Sequence, residues 1–153
     1  MKNSNINLIN KPMMIDAAQF DALSNVEWIE SGNHELSYTI HNNVAIIPIH
    51  GLLTKRTELF APILGTTSYE EIYDAIKLAH DDVEVESILL DIDSPGGEVS
   101  GLFDLVDFIY QSRNIKPIYS VANDHAFSAA YAIASATSKI FVNRTSGVGS
   151  VGV

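Results

Sequence analysis

The spacing of apolar residues changes period several times along the 153-residue chain. VAIIPIHG (Val44 to Gly51) is a short apolar run closed by glycine, which predicts a buried strand. LLTKRTELFAPILGTT follows with no clear period, and with Pro62 and Gly65 inside it reads as a loop. SYEEIYDAIKLAHDD then sets Tyr69, Ile72, Ile76 and Ala79 at helical spacing. Ser68 with Glu71 three residues later is a capping-box start. VESILLDID (Val85 to Asp93) is almost continuously apolar at its centre, predicting a strand covered on both faces. After a turn at SPGG, Val99, Leu102, Val106 and Ile109 share one side of a second helix. KPIYSVAN reads as a third strand, the segment from Ser128 as a helix of small residues, and KIFVN as a fourth strand.

Strands and helices that alternate with short links predict an α/β fold with a mostly parallel sheet and right-handed crossovers. Residues 1–42 are mixed in character and are expected to be partly helical or extended, with a helix around DAAQFDALSNVEWI. Residues 43–153 read as one domain, without repeats or an interdomain linker.

Composition narrows the picture mainly by exclusion. With 46% apolar and 18% charged residues the chain is of ordinary globular type. A formal net charge of -10 leaves no basic footprint for nucleic acid or an anionic membrane surface. The absence of cysteine excludes disulfides, thiolate zinc sites and a cysteine nucleophile, and suits a reducing cytoplasm. No run approaches the roughly eighteen apolar residues of a membrane span, and MKNSNINLINKPMM lacks a secretory apolar core. No His/Asp/Glu cluster has metal-ligand spacing, so neither a metal nor a cofactor is expected. GVGSVG (Gly147 to Gly152) matches a dinucleotide-binding pattern in letters, but no helix or acidic residue follows it as that site requires.

Two segments can carry chemistry, and both fall where a strand gives way to a helix. Ligand sites of open α/β sheets gather there. In DSPGGEVSG, Pro95 restricts the chain while Gly96 and Gly97 can bare backbone N–H groups toward a developing oxyanion; on spacing alone the pair is equally a tight turn. In NDHAFSAAYAIASA, Ser128 stands at the positive end of a helix dipole, where an alkoxide is favoured. The N–H of Ala129 would be a second oxyanion donor. Taken alone, Ser128 also reads as the N-cap of a buried helix.

The order of LLDIDSPGGEVSG, SVANDHAFSAAYAIASA and TSGVGSVGV resembles the signal peptide peptidase A family of serine peptidases. The resemblance implies the Clp/crotonase-like fold, with repeated β-β-α units and a mostly parallel sheet. The opening NKPMMIDAAQFDAL is similar to the phage branch of that family, the head-maturation proteases of minor capsid protein C type. By the resemblance, Ser128 is the nucleophile, Gly97 and Ala129 supply the oxyanion hole, and Gly96 shapes the turn. It further implies protein or peptide substrates, rings of subunits, phage capsid proteins as partners, and a host-cytoplasmic or virion location.

Peptidases of this family use a lysine general base, whose amine must be desolvated to be neutral near pH 7. Its expected position lies beyond Val153, which stands 25 residues after Ser128. The chain is therefore expected to be an incomplete domain, inactive alone. Lys139, the only lysine after the serine, reads as a strand-edge residue, and Lys55 in the loop after the first strand is a weaker substitute. All five histidines precede Ser128, and His125 reads as a turn residue. A catalytically inactive fragment or capsid component, and a crotonase-like acyl-CoA enzyme, are the alternatives. The acidic charge counts against the acyl-CoA enzyme.

Overall fold

The computed structural model describes residues 13–15, 38–56 and 65–151. Its strands are β1 (Met13–Ile15), β2 (Thr39–His41), β3 (Val44–Thr54), β4 (Thr67–Ser68), β5 (Ser87–Glu98), β6 (Ile118–Phe127), β7 (Lys139–Val142) and β8 (Gly147–Gly149). The helices are α1 (Tyr69–Asp81), α2 (Leu102–Ser112) and α3 (Ala129–Ser135). The sheet runs β2-β3-β5-β6-β7, with β4 against β3, β8 against β6, and β1 against β5. Pairing is parallel from β3 through β7 and for β4 and β8; among the described residues only β1 and β2 are antiparallel. The mostly parallel α/β architecture predicted from the alternation is therefore present. The helix expected around residues 16–29 lies outside the described residues.

Burial corrects one expectation about the central strand. Ile88, Leu90 and Ile92 of β5 are fully buried, whereas Leu89, Asp91 and Asp93 between them are only half-buried. The strand thus follows the two-residue alternation of a sheet whose helices lie on one face. Ile47 and Ile49 of β3, Ile118 of β6, Ile72 and Ile76 of α1, Ile109 of α2 and Ile133 of α3 complete that one-sided core. A fully buried aliphatic side chain of this size contributes about 1.5–3 kcal/mol. In α2 the core takes Leu102, Leu105 and Ile109, while Val106 is only half-buried.

The capping box at α1 forms as predicted. The Glu71 backbone N–H donates to Ser68 Oγ at 3.1 Å and the Ser68 N–H donates to Glu71 Oε2 at 2.9 Å. At the other end, Lys116 Nζ donates to the Ala79 and Asp82 carbonyls at 3.0 and 2.7 Å, satisfying acceptors that a helix end leaves open.

Three strands run past their expected C-terminal limits, although β5 and β6 also start two residues later than expected. β3 continues through Leu52–Thr54, which had read as loop; β5 continues through Ser94–Glu98, which had read as a turn; β6 continues to Phe127. Each strand bends through an irregular register, at His50/Leu52 and at Ile92/Ser94, and its far end then pairs anew: Leu52 and Leu53 with Gly96 and Gly97, Ser94 with Ala126. Such bends re-aim a strand end without breaking its ladder. Pro95 and the glycines permit the bend but do not stop the strand. The extended end of β5 carries Gly96 and Gly97, and the Ser128–Ala129 helix start directly follows the extended end of β6.

Candidate active site

Ser128 joins the end of β6 to α3 and is 2% exposed. Its backbone is at φ 54 and ψ −115, a left-handed conformation that a residue with a Cβ adopts at a cost of about 1–3 kcal/mol. Two main-chain bonds hold it there. The Ser128 N–H donates to the Gly149 carbonyl at 2.8 Å, and the Ser128 carbonyl accepts from the Ala132 N–H at 2.9 Å, the first bond of α3. The hydroxyl makes no capping bond to the helix, and Oγ is buried without a hydrogen-bond partner. Ser128 thus stands at the N-cap position without capping the helix through its side chain. What remains is a sharp strand-to-helix turn whose buried serine hydroxyl is free of helix capping. Ala129, directly after it, and Ala130 are fully buried, and α3 packs against β5.

The glycine pair lies on β5, in the bent end of the strand. Gly96 has φ 105, closed to other residues. Gly97 is required for a different reason: a Cβ there would run into the Leu53 carbonyl of β3. The two are also distinct as donors. The Gly96 N–H is committed to Ser94 Oγ at 3.1 Å, while the Ser94 hydroxyl donates to the Gly51 carbonyl at 2.6 Å. Of the pair, only Gly97 is then a candidate oxyanion donor. Ser94 itself, fully buried, was not singled out from the sequence. The signal was present, because a serine two residues before a glycine N–H is a side-chain-to-backbone turn. The far side of the bend is anchored by Tyr69, whose hydroxyl donates to the Glu98 carbonyl at 2.5 Å. Burial pushes the Tyr69 phenol far above its ordinary range, with the Glu98 charge adding to it, so it stays a neutral donor.

The glycine-rich tail is a structural neighbour of this turn. β8 runs parallel to His125–Phe127, and a Cβ at Gly147 would strike the Phe127 ring. A cleft of about 340 Å³ opens beside the bend, lined by His50, Gly51, Asp93, Pro95 and His125. Its histidines face carboxylates: His50 Nε2 is 3.8 Å from Asp91 and His125 Nδ1 is 3.5 Å from Asp93. The His125 ring also lies 5.1 Å from Phe127. Among the described residues no group of three His, Asp or Glu side chains is placed to hold a metal ion.

Neither lysine weighed from the sequence is brought to Ser128. Lys139 is exposed, faces the Phe141 ring, and pairs with Tyr119 at the start of β6. The serine follows the end of that strand, nine residues and roughly 30 Å further along at the usual rise per residue. The Lys55 stem lies over Gly101, in a recess shared with Tyr69, Tyr73 and Asp104.

Comparison with known proteins agrees with the family that the sequence resembles. Residues 110–153 match peptidase family S49. The chain is 43% identical over 116 residues to the head-tail preconnector protein GP5 of Enterobacteria phage P21, covering 76% of this chain and 23% of that protein. It is 43% identical over 117 residues to the capsid assembly protease C of Escherichia phage lambda, covering 76% of this chain and 27% of that protein. The chain thus spans about a quarter of the length of these curated relatives. Among solved structures, a membrane-bound stomatin-specific protease in complex with a substrate peptide aligns with a TM-score of 0.54 at 24% identity, over 75% of this chain and 44% of that one. An enoyl-CoA hydratase/isomerase family member aligns with a TM-score of 0.55 at 17% identity, over 74% of this chain and 49% of that one. These structural likenesses are of fold, the Clp/crotonase-like fold, which peptidases and hydratases share.

Proposed function

Starting from a chain whose residues 110–153 match peptidase family S49, we propose that it carries the nucleophile half of a serine endopeptidase that processes phage capsid proteins. One observation carries the reading: Ser128 is held in a strained turn at the start of α3 with its hydroxyl released from helix capping. A serine kept only for structure would have either capped the helix or been replaced by glycine, which takes this backbone without strain.

In the proposed reaction Ser128 Oγ attacks the carbonyl carbon of the scissile peptide bond as its proton passes to a neutral lysine. The tetrahedral oxyanion is stabilised by the N–H groups of Gly97 and Ala129, and donors so placed are each worth about 3–4 kcal/mol. The carbon–nitrogen bond then breaks, the lysine returns the proton to the leaving amine, and water resolves the acyl-enzyme by the same route. Neither Lys55 nor Lys139 is set beside the serine, and the family resemblance puts the base well beyond Ser128 in sequence, so we assign that role to a lysine after Val153, in a longer product or a neighbouring subunit of a ring. Residues 1–153 alone would then turn over peptide slowly or not at all. The acyl-CoA alternative has the fold in its favour but no basic cluster for nucleotide phosphates.

A fluorophosphonate probe applied to the longest natural product of the gene tests the reading. Covalent labelling at Ser128, abolished in Ser128→Ala, is expected. A product that labels elsewhere or not at all would overturn it.

A further inference from the structure

β5 has two edges, and they are used differently along its length. One edge is taken by β3 throughout, from Val44 opposite Ser87 to Leu53 opposite Gly97. The other is taken by β6, but only as far as Ser94 opposite Ala126, because β6 then turns away through Phe127 into the Ser128 bend. From Gly96 onward that second edge would stand open beside the serine. It is instead filled by the chain's own N-terminal segment. Met13, Met14 and Ile15 pair antiparallel with Glu98, Gly97 and Gly96, which sets Met14 directly opposite the candidate oxyanion donor.

An open strand edge is what an extended peptide uses when it binds by adding a strand, with main-chain bonds giving affinity. If Ser128 and Gly97 form the proposed peptidase centre, on which this inference rests, a substrate must lie along the same edge between them. We propose that Met13–Ile15 is a resident strand in the peptide groove: it occupies the Gly96–Glu98 edge in the antiparallel sense, and peptide substrates bind only as it leaves. The groove accordingly accepts extended, uncharged stretches such as Met13-Met14-Ile15. Apparent affinity for any peptide is then the intrinsic affinity reduced by the fraction of molecules whose groove is open.

The test uses the whole chain and a fluorescein-labelled peptide of residues 9–18, INKPMMIDAA, followed by anisotropy. Met14→Pro removes a strand N–H and disfavours the pairing, and Met14→Gly weakens it more gently. We expect Met14→Pro to bind the peptide at least tenfold more tightly than the unmodified chain, with Met14→Gly between them. If Met14→Pro does not fold, judged by circular dichroism, Met14→Gly decides by the same sign. Equal affinity in the unmodified chain and the folded variants, or no peptide binding in any of them, would overturn the proposal. Fluorophosphonate labelling of the longest product separates the two readings. Labelling of Ser128 with no affinity change defeats the resident strand alone, whereas an affinity gain with Ser128 unlabelled supports the groove and defeats the nucleophile.

Discussion

The Ser128 backbone N–H donates to the Gly149 carbonyl at 2.8 Å, so a glycine-rich strand that follows the serine by twenty-odd residues clamps the turn that presents it. With β8 on one side and the first bond of α3 on the other, Ser128 is kept at a positive φ that it would not adopt by itself. Local strain of this kind persists only where surrounding structure over-determines it.

Replacing the serine should therefore separate stability from chemistry. Ser128→Gly is expected to stabilise the fold by about 1 kcal/mol, because glycine takes this conformation freely. Ser128→Ala keeps the Cβ and the strain and should melt close to the parent. Both should abolish probe labelling. Denaturant midpoints for the three proteins check the order.

Ser94 ties the SPGG bend to β3, accepting from the Gly96 N–H while donating to the Gly51 carbonyl. Ser94→Ala leaves a buried donor and an acceptor unpaired, which should cost about 1–3 kcal/mol. It should also slow labelling of Ser128 while leaving the serine in place, because Gly97 is no longer held in register. The labelling rate at saturating probe reads that loss.

Gly97→Ala asks for space that the Leu53 carbonyl occupies. Backbone cannot give way as a side-chain tip can, so a loss of about 3 kcal/mol or failure to fold is expected. Soluble yield and thermal midpoint measure it. A parent-like melt would contradict this close approach of β3 and β5 at Leu53.

His80 sets a pH dependence whose sign follows from burial. Its Nε2 is buried without a hydrogen-bond partner, and desolvation first, then the Lys116 charge, hold its pKa below the ordinary value against a smaller opposite effect of Asp81. The unfolded chain accordingly takes up a proton near pH 6.5 that the folded chain refuses. Stability from this source is complete above about pH 6.5 and declines as the pH falls toward the depressed folded value. His80→Gln should flatten the fall in unfolding midpoint between pH 7.5 and 5.5; an unchanged slope would contradict it.

Much of the architecture was legible without coordinates, because periodicity reports which faces are buried. The α1 capping box, the alternation of strands and helices, and the start of α3 after Ser128 were all read in place. Strand ends were not. Leu52–Thr54, Ser94–Glu98 and Asp124–Phe127 continue as strand through glycines, proline and polar residues that read locally as turns. They remain extended because each pairs with the bent end of a neighbour, and the identity of that neighbour is not written in local sequence. The two-sided burial expected for Val85–Asp93 failed for a related reason. An apolar run says that a strand is buried, but the side on which helices cover it is set by their crossovers.

For the candidate site the division is similar. The residue types and their order, a glycine pair after one strand and a serine before the next helix, were fixed by sequence alone. So was the absence of cysteine and of any lysine beyond Lys139 in the 25 residues after Ser128. Only the tertiary structure decided how those residues are used. It showed that Ser128 is strained and uncapped, that Ser94 consumes the Gly96 N–H, and that Met13–Ile15 lies against Gly96–Glu98. The physical reason is that sequence specifies what each residue can do within a few neighbours. Strain, donor occupancy and edge pairing depend on contacts between segments tens of residues apart.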